Sequence, residues 1–378
     1  MILLSQMTFD DTEETLSRFR VSKELGFLTR CDISKISEYY RPWIDLCANM
    51  IELIRKNCVK QAVLKLPELT TCNLVTYEDW RIAHLLLVTI ASGYLWSGDP
   101  CEAPTVMPKI IGLPLVDVSE RLGIRPVICH ASACLANWQL IDKKLPFSPD
   151  NLQLNAFKFL DSKANHWFFT VTAQIEKDFA PCIYEIICAV NLSTRKKLVN
   201  LDSALSSIVN CLNNALKTMK RMNEHLSPKE FYHKIRPFLW GYNVGSLKQC
   251  GIIFEGMEDK GPLKYGGGSA AQSSTIQLID AFLKVEHTGP EKVFLIEQRE
   301  YMPREHRDLL NWVETETPVE KSTERRQQAL DALRAFRSLH LTIVAQYILT
   351  QIEHSSSTTG TGGTPFMQFL KNVRADTE

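Results

Sequence analysis

The sequence predicts a mainly α-helical protein of two domains. Three observations carry this expectation. Apolar residues recur at i, i+3, i+4 and i+7 over several long stretches, and alternating strand patterns are few and short. A third feature is the Pro-, Asp- and Asn-rich stretch Lys143 to Asn155, which lacks periodicity and reads as a joint. A chain of 378 residues exceeds one ordinary core, and the joint divides it into residues 1–150 and 151–378.

Taken in order, the N-terminus has a short apolar start followed by Asp10, Asp11, Glu13 and Glu14. A secretory signal would need a basic start and a longer apolar core. Ile44 to Lys56 and Tyr77 to Tyr94 carry helical spacing, and His84 to Trp96, the most apolar run, is too short to span a bilayer. Turn signals stand at Gly98-Asp-Pro100, Pro146 to Pro149 and Gly261 to Gly268. Between them, Leu205 to Met222 places Leu205, Ile208, Leu212 and Leu216 on one stripe, a packing face. Phe231-Tyr-His-Lys-Ile-Arg236 sets Phe231 and Arg236 near one another on a helical turn or bend. An arginine among Ile235, Phe238, Leu239 and Trp240 is costly unless paired, either with an internal carboxylate or with an anionic ligand.

Lys264 to Ser274 is a small-residue run leading into an apolar helix, Ile276 to Leu283, without a GxGxxG or Walker lysine. It is either a simple loop before a helix or a backbone that comes very close to something flat and large. A long helix then starts at Thr317 or Thr323 and runs to Glu353; Thr317-Pro-Val-Glu320 matches a capping box with proline at the first helical position. Leu333, Phe336, His340, Ile343, Val344 and Tyr347 share one face of it. His340 is therefore either a satisfied core histidine or the single protein ligand that a haem iron requires. None of the nine histidines forms HExxH or a cluster, which argues against zinc or non-haem iron. His354 to Gly363 is almost wholly Ser, Thr and Gly, a linker or a lid. In the tail, Phe366, Phe369, Leu370 and Val373 form a face that can dock.

Composition narrows the function. Apolar residues at 45% and charged residues at 23% indicate a compact globular chain rather than disorder. Basic and acidic residues balance at 43 each, which argues against a nucleic-acid backbone as partner. Eleven cysteines without repeating spacing fit a reducing compartment, and the cytoplasm is the expected location, with no membrane partner.

With these residues in view the chain resembles the indoleamine 2,3-dioxygenases. The segments that carry the likeness are Val21-Ser-Lys-Glu-Leu-Gly-Phe27, Leu135-Ala-Asn-Trp138, Gly267-Gly-Ser-Ala270 with Gln272-Ser-Ser274, Tyr301-Met-Pro303, Arg337-Ser-Leu-His-Leu341, Gly360-Thr-Gly-Gly-Thr364 and Phe369-Leu-Lys-Asn-Val-Arg374. The resemblance implies haem b in a large all-helical domain, capped by a smaller N-terminal one. It also implies oxidative opening of the indole of L-tryptophan by O₂ to N-formylkynurenine, with an unidentified reductant for the iron. It makes His340 the iron ligand, backed by Arg337 and Asp280, and sets Gly268, Ser269 and Ala270 against the haem. Phe168 and Phe231 would frame the indole, Arg236 would bind the substrate carboxylate, and Thr364 would lie on the closing loop. Three positions depart from the family pattern. His130 stands where a tyrosine is common and Thr172 where a serine is frequent, both in the pocket, and Pro237 follows Arg236. A histidine at position 130 would be able to hydrogen-bond bound O₂ and favour storage, and a proline at 237 should bias Arg236 away from α geometry. Molluscan myoglobins resemble the same family, so an O₂ carrier with little catalysis is the alternative. A haem-free helical interaction protein is a third.

Overall fold

The computed structural model describes residues 12–194, 201–318, 323–351 and 366–377. The Ser/Thr/Gly stretch with Thr364 lies outside these residues. The chain is mainly helical, as its periodicity predicts. After a helix over residues 12–18 come α1 (Arg41–Ala48), α2 (Met50–Arg55) and α3 (Val59–Leu64). The periodic stretch from Ile44 is thus two helices, because Asn49 turns its amide back onto the Asp45 carbonyl (2.8 Å) and ends the first.

Helix α4 (Tyr77–Trp96) starts at a capping box made by Thr76 and Asp79 and is buried at every residue from Arg81 to Trp96. That full burial explains why it is apolar all round rather than striped. Helix α5 (Lys109–Leu122) packs on it. Four two-residue strands are found among the described residues. β1 (Val106–Met107) pairs in parallel with β4 (Ile253–Phe254), and β2 (Gln139–Leu140) pairs antiparallel with β3 (Leu152–Gln153). The stretch read as a joint is the loop between β2 and β3. The amide of Asn151 pins it by donating to the carbonyls of Asp142, Leu145 and Pro146.

The second half is built from α6 (Lys163–Asp178), α7 (Ala180–Thr194), α8 (Asp202–Lys220), α9 (Ser274–Leu283), α10 (Gly289–Arg299), α11 (Arg304–Glu316), α12 (Glu324–Tyr347) and α13 (Phe366–Ala375). The stripe of α8 packs against α6, α7 and α12. Of the two starts considered for α12, the structure uses Thr323, whose hydroxyl accepts the Arg326 N–H at 3.1 Å. The capping box expected between Thr317 and Glu320 falls partly outside the described residues. Thr317 itself closes α11, its N–H bonded back to the Val313 carbonyl. Residues near the N-terminus lie on the second half: Phe19 packs 5.6 Å from the Trp312 ring and Phe27 4.6 Å from that of His306.

Candidate functional site

Two wide turns place Phe231 and the flanking His130 and Arg236. Ala131–Leu135 and Phe231–Ile235 are both five-residue π turns, a distortion that costs helix regularity and is common at functional sites. In the second, the Arg236 N–H donates to the Phe231 carbonyl, so the two residues sit one π turn apart. Arg236 adopts αR geometry (φ −54°, ψ −37°), contrary to the expectation from Pro237. A proline ring normally clashes with the preceding helical turn, and here the widened π turn leads into the short 3-10 helix Arg236–Leu239, which takes the ring at its start. Phe238 of that helix stacks flat on Phe159 at 3.9 Å. Arg236 is buried, with its guanidinium 5.2 Å from the Tyr232 ring, and burial lowers its pKa.

Phe168 and Thr172 lie one turn apart on α6, both half-buried. The Phe168 and Phe231 rings meet at 4.8 Å with a 43° tilt, and Phe231 sets its edge on Tyr347 of α12 at 5.9 Å. Tyr347 is in turn fixed by donating to the Leu226 carbonyl at 2.7 Å. The Thr172 hydroxyl donates to the Phe168 carbonyl at 2.7 Å, so it is engaged in its own helix.

The glycine loop is tied backbone to backbone. Tyr242 N–H donates to Tyr265 O and Gly268 N–H to Leu239 O, at 2.8 and 2.9 Å. A Cβ at Gly267 would overlap the Leu239 carbonyl, and one at Gly241 the Tyr265 carbonyl. The close approach anticipated for this run is thus met at Gly267 by the protein's own chain. Gly268 and Ser269 are half-buried and Ala270 is exposed. Gln272, which sequence reasoning gave no role, is the clasp. It accepts the His130 backbone N–H (3.0 Å), and its amide donates to the Gly267 carbonyl (2.8 Å).

On α12 the apolar stripe is covered unevenly. Leu333, Phe336 and Tyr347 are buried, whereas Leu339, His340, Ile343 and Val344 between them are only half-covered. Yet burial pulls the His340 pKa down to about 4, and no charge or hydrogen bond offsets it. The ring is neutral, the form whose nitrogen lone pair ligates a metal, so the residues present fit a haem group. Three residues before it, buried Arg337 makes a two-pronged contact with Asp280 of α9 (2.7 and 2.6 Å). Asp280 is shared with His287 (3.1 Å), whose other nitrogen meets Asp376 (3.1 Å), and Arg337 also donates to Thr377. His287 and Asp376 carry no sequence signal of their own.

His130 departs furthest from its expected neighbourhood. Its Nε2 lies 2.8 Å from Glu176, four residues after Thr172 on α6, and both side chains are buried. Glu176 was not singled out, although its spacing from Phe168 and Thr172 put it on their face.

Taken together, a mainly helical fold, an imidazole on a half-covered apolar face and an aromatic pair one π turn from a buried guanidinium fit the class of helical haem proteins. The family model of indoleamine 2,3-dioxygenase matches residues 15–378, and the chain belongs to that family. That membership implies a haem dioxygenase scaffold using O₂. The chain is 31% identical to "Indoleamine 2,3-dioxygenase 1" of Rattus norvegicus, covering 98% of this chain and 96% of the relative. It is 30% identical to "Indoleamine 2,3-dioxygenase 2" of Homo sapiens, over 96% and 94%. It is also 32% identical to "Myoglobin" of Haliotis madaka, over 96% and 98%.

Proposed function

We propose that this chain is a haem dioxygenase that opens the indole ring of L-tryptophan with O₂ to give N-formylkynurenine. The observation that carries the proposal is the Phe168–Phe231 ring pair with Arg236 one π turn away. An amino acid with a flat aromatic side chain calls for both, and O₂ alone calls for neither. In this reading His340 would hold haem b through its imidazole, with Arg337 and Asp280 behind it and Gly268, Ser269 and Ala270 against the macrocycle. The haem, when bound and reduced by a donor of unassigned identity, supplies the activation of O₂.

The chain's own residues bind and orient. Phe168 and Phe231, packed on each other, frame the indole, and Arg236 takes the carboxylate through a charge-assisted contact. His130, Thr172, Ser269 and Ala270 complete the wall; Thr364, the remaining expected contact to the amino acid, lies outside the described residues. Apolar walls exclude water from the reacting ring. The part before residue 150 is proposed as the cap and residues 151–378 as the haem-holding domain. A cytoplasmic location is supported by eleven free thiols, and no helix among the described residues is long and apolar enough to cross a membrane.

The relative named myoglobin supports a second reading, O₂ binding with little catalysis. Reduced, haem-loaded protein incubated with L-tryptophan and O₂ separates the two. Growth of N-formylkynurenine absorbance beside an intact Soret band is the expected result. A stable oxygenated spectrum without product would overturn the dioxygenase and leave the carrier. Failure to take up haem at all would overturn both.

A further inference from the structure

Glu176 is 4% exposed, in a setting that would expel or protonate a lone carboxylate. Its oxygens instead accept three hydrogen bonds, from His130 Nε2 (2.8 Å), Ser273 Oγ (2.7 Å) and Thr275 Oγ1 (2.5 Å). The donors come from two other parts of the pocket. His130 leads into the first π turn, while Ser273 and Thr275 follow the glycine loop into α9. Glu176 itself shares a helix with Phe168 and Thr172, so one carboxylate joins three walls.

We propose that Glu176 is a positioning residue that locks His130 into the pocket wall as a charged pair, so that the His130 Nε2–H is committed to Glu176 and withheld from a ligand bound beside it. The inference rests on the pocket being the proposed tryptophan and O₂ site. It gives a physical reason why a histidine at position 130 need not make this chain an O₂ store. Hydrogen bonds to the ionised forms support the pairing. Against the lowering by burial, Cys134 first and Glu176 next raise the His130 pKa well above its usual value, and hydrogen bonding and charge from His130 lower that of Glu176 despite its own burial. The other ionisable groups around the pair are Cys129 and Cys134 on its own segment. Beyond them lies Arg81 of α4, whose guanidinium donates to the Ala131 carbonyl at 2.6 Å. From α9 the pair meets hydroxyls.

The test is histidine-selective NMR of the apo and the haem–CO protein across the ordinary imidazole range, about pH 5.5 to 8. The His130 signal is assigned by its loss in His130→Tyr. It should stay doubly protonated throughout, and in Glu176→Gln its midpoint should fall. The CO stretching band should be flat with pH in the wild type and become pH-dependent in Glu176→Gln. An ordinary titration of His130 in the wild type would overturn the proposal, and that measurement stands even if the variant does not fold. Unchanged His130 and CO signals in folded Glu176→Gln would overturn it equally. Tryptophan turnover is read separately: its absence in the wild type sinks the dioxygenase reading, whereas the NMR result decides the pair.

Discussion

Arg236 combines burial, a stacked neighbour and a pKa lowered by desolvation, all of which raise the value of an anion that reaches it. A charge-assisted contact with a carboxylate is worth about 1.5–3 kcal/mol. Arg236→Ala should therefore raise the KM for L-tryptophan roughly 10- to 150-fold, with haem content unchanged. Steady-state kinetics beside a Soret titration check this, and unaltered KM would refute the carboxylate role. His340→Ala removes the neutral imidazole from the half-covered face of α12, and the expected result is loss of the Soret band after haem reconstitution. Gly267 makes a different kind of residue-scale prediction. A methyl group there has only the Leu239 carbonyl to occupy, so Gly267→Ala should cost about 1–3 kcal/mol, read as a lower urea midpoint.

Among the elements, α12 is held against α9 and the C-terminal helix by one buried network, Arg337–Asp280–His287–Asp376. Removing one member leaves an uncompensated buried charge, at a cost of about 3–5 kcal/mol. Asp280→Asn should accelerate amide exchange in α13 and at the end of α9 well before α4, and hydrogen-exchange mass spectrometry resolves those segments. Between α6 and the segment before the first π turn, the His130–Glu176 pair predicts a pH window. Glu176 has a lowered folded pKa, so its stabilisation is full above the ordinary value of 4.5 and is lost as pH falls through the lowered one. His130 has a raised folded pKa, so its stabilisation is full below the ordinary 6.5 and fades as pH rises through the raised one. The pair's contribution should thus be largest between about 4.5 and 6.5 and decline on both sides. Urea midpoints of the wild type minus those of Glu176→Gln, followed against pH, should trace that shape; a flat difference would contradict it.

At the scale of the whole molecule, the two halves of the sequence share structure. Phe19 and Phe27 pack on α11, β1 pairs with β4 across the chain, and the Trp96 indole donates to the Trp240 carbonyl at 3.2 Å. One cooperative transition is therefore expected, with circular dichroism and tryptophan fluorescence melting together. Two separated transitions would mean that the cap is stable without the helical domain.

Periodicity alone made α4, α8 and α12 legible, because burying one stripe or a whole surface is a demand written in residue order. The same spacing placed His340 on an apolar face, and the small-residue run announced a close backbone approach. What only the tertiary structure decided are matters of partnership between distant segments. The sequence left the start of α12 open between two threonines, and the Thr323 hydroxyl cap on Arg326 settled it. Arg236 looked misaimed before a proline until a π turn made room for the ring. His130 was ambiguous because a histidine's role depends on what faces its two nitrogens. Only the fold shows that its Nε2 faces a carboxylate 46 positions away, brought to it by the packing of α6 against the segment that precedes the first π turn.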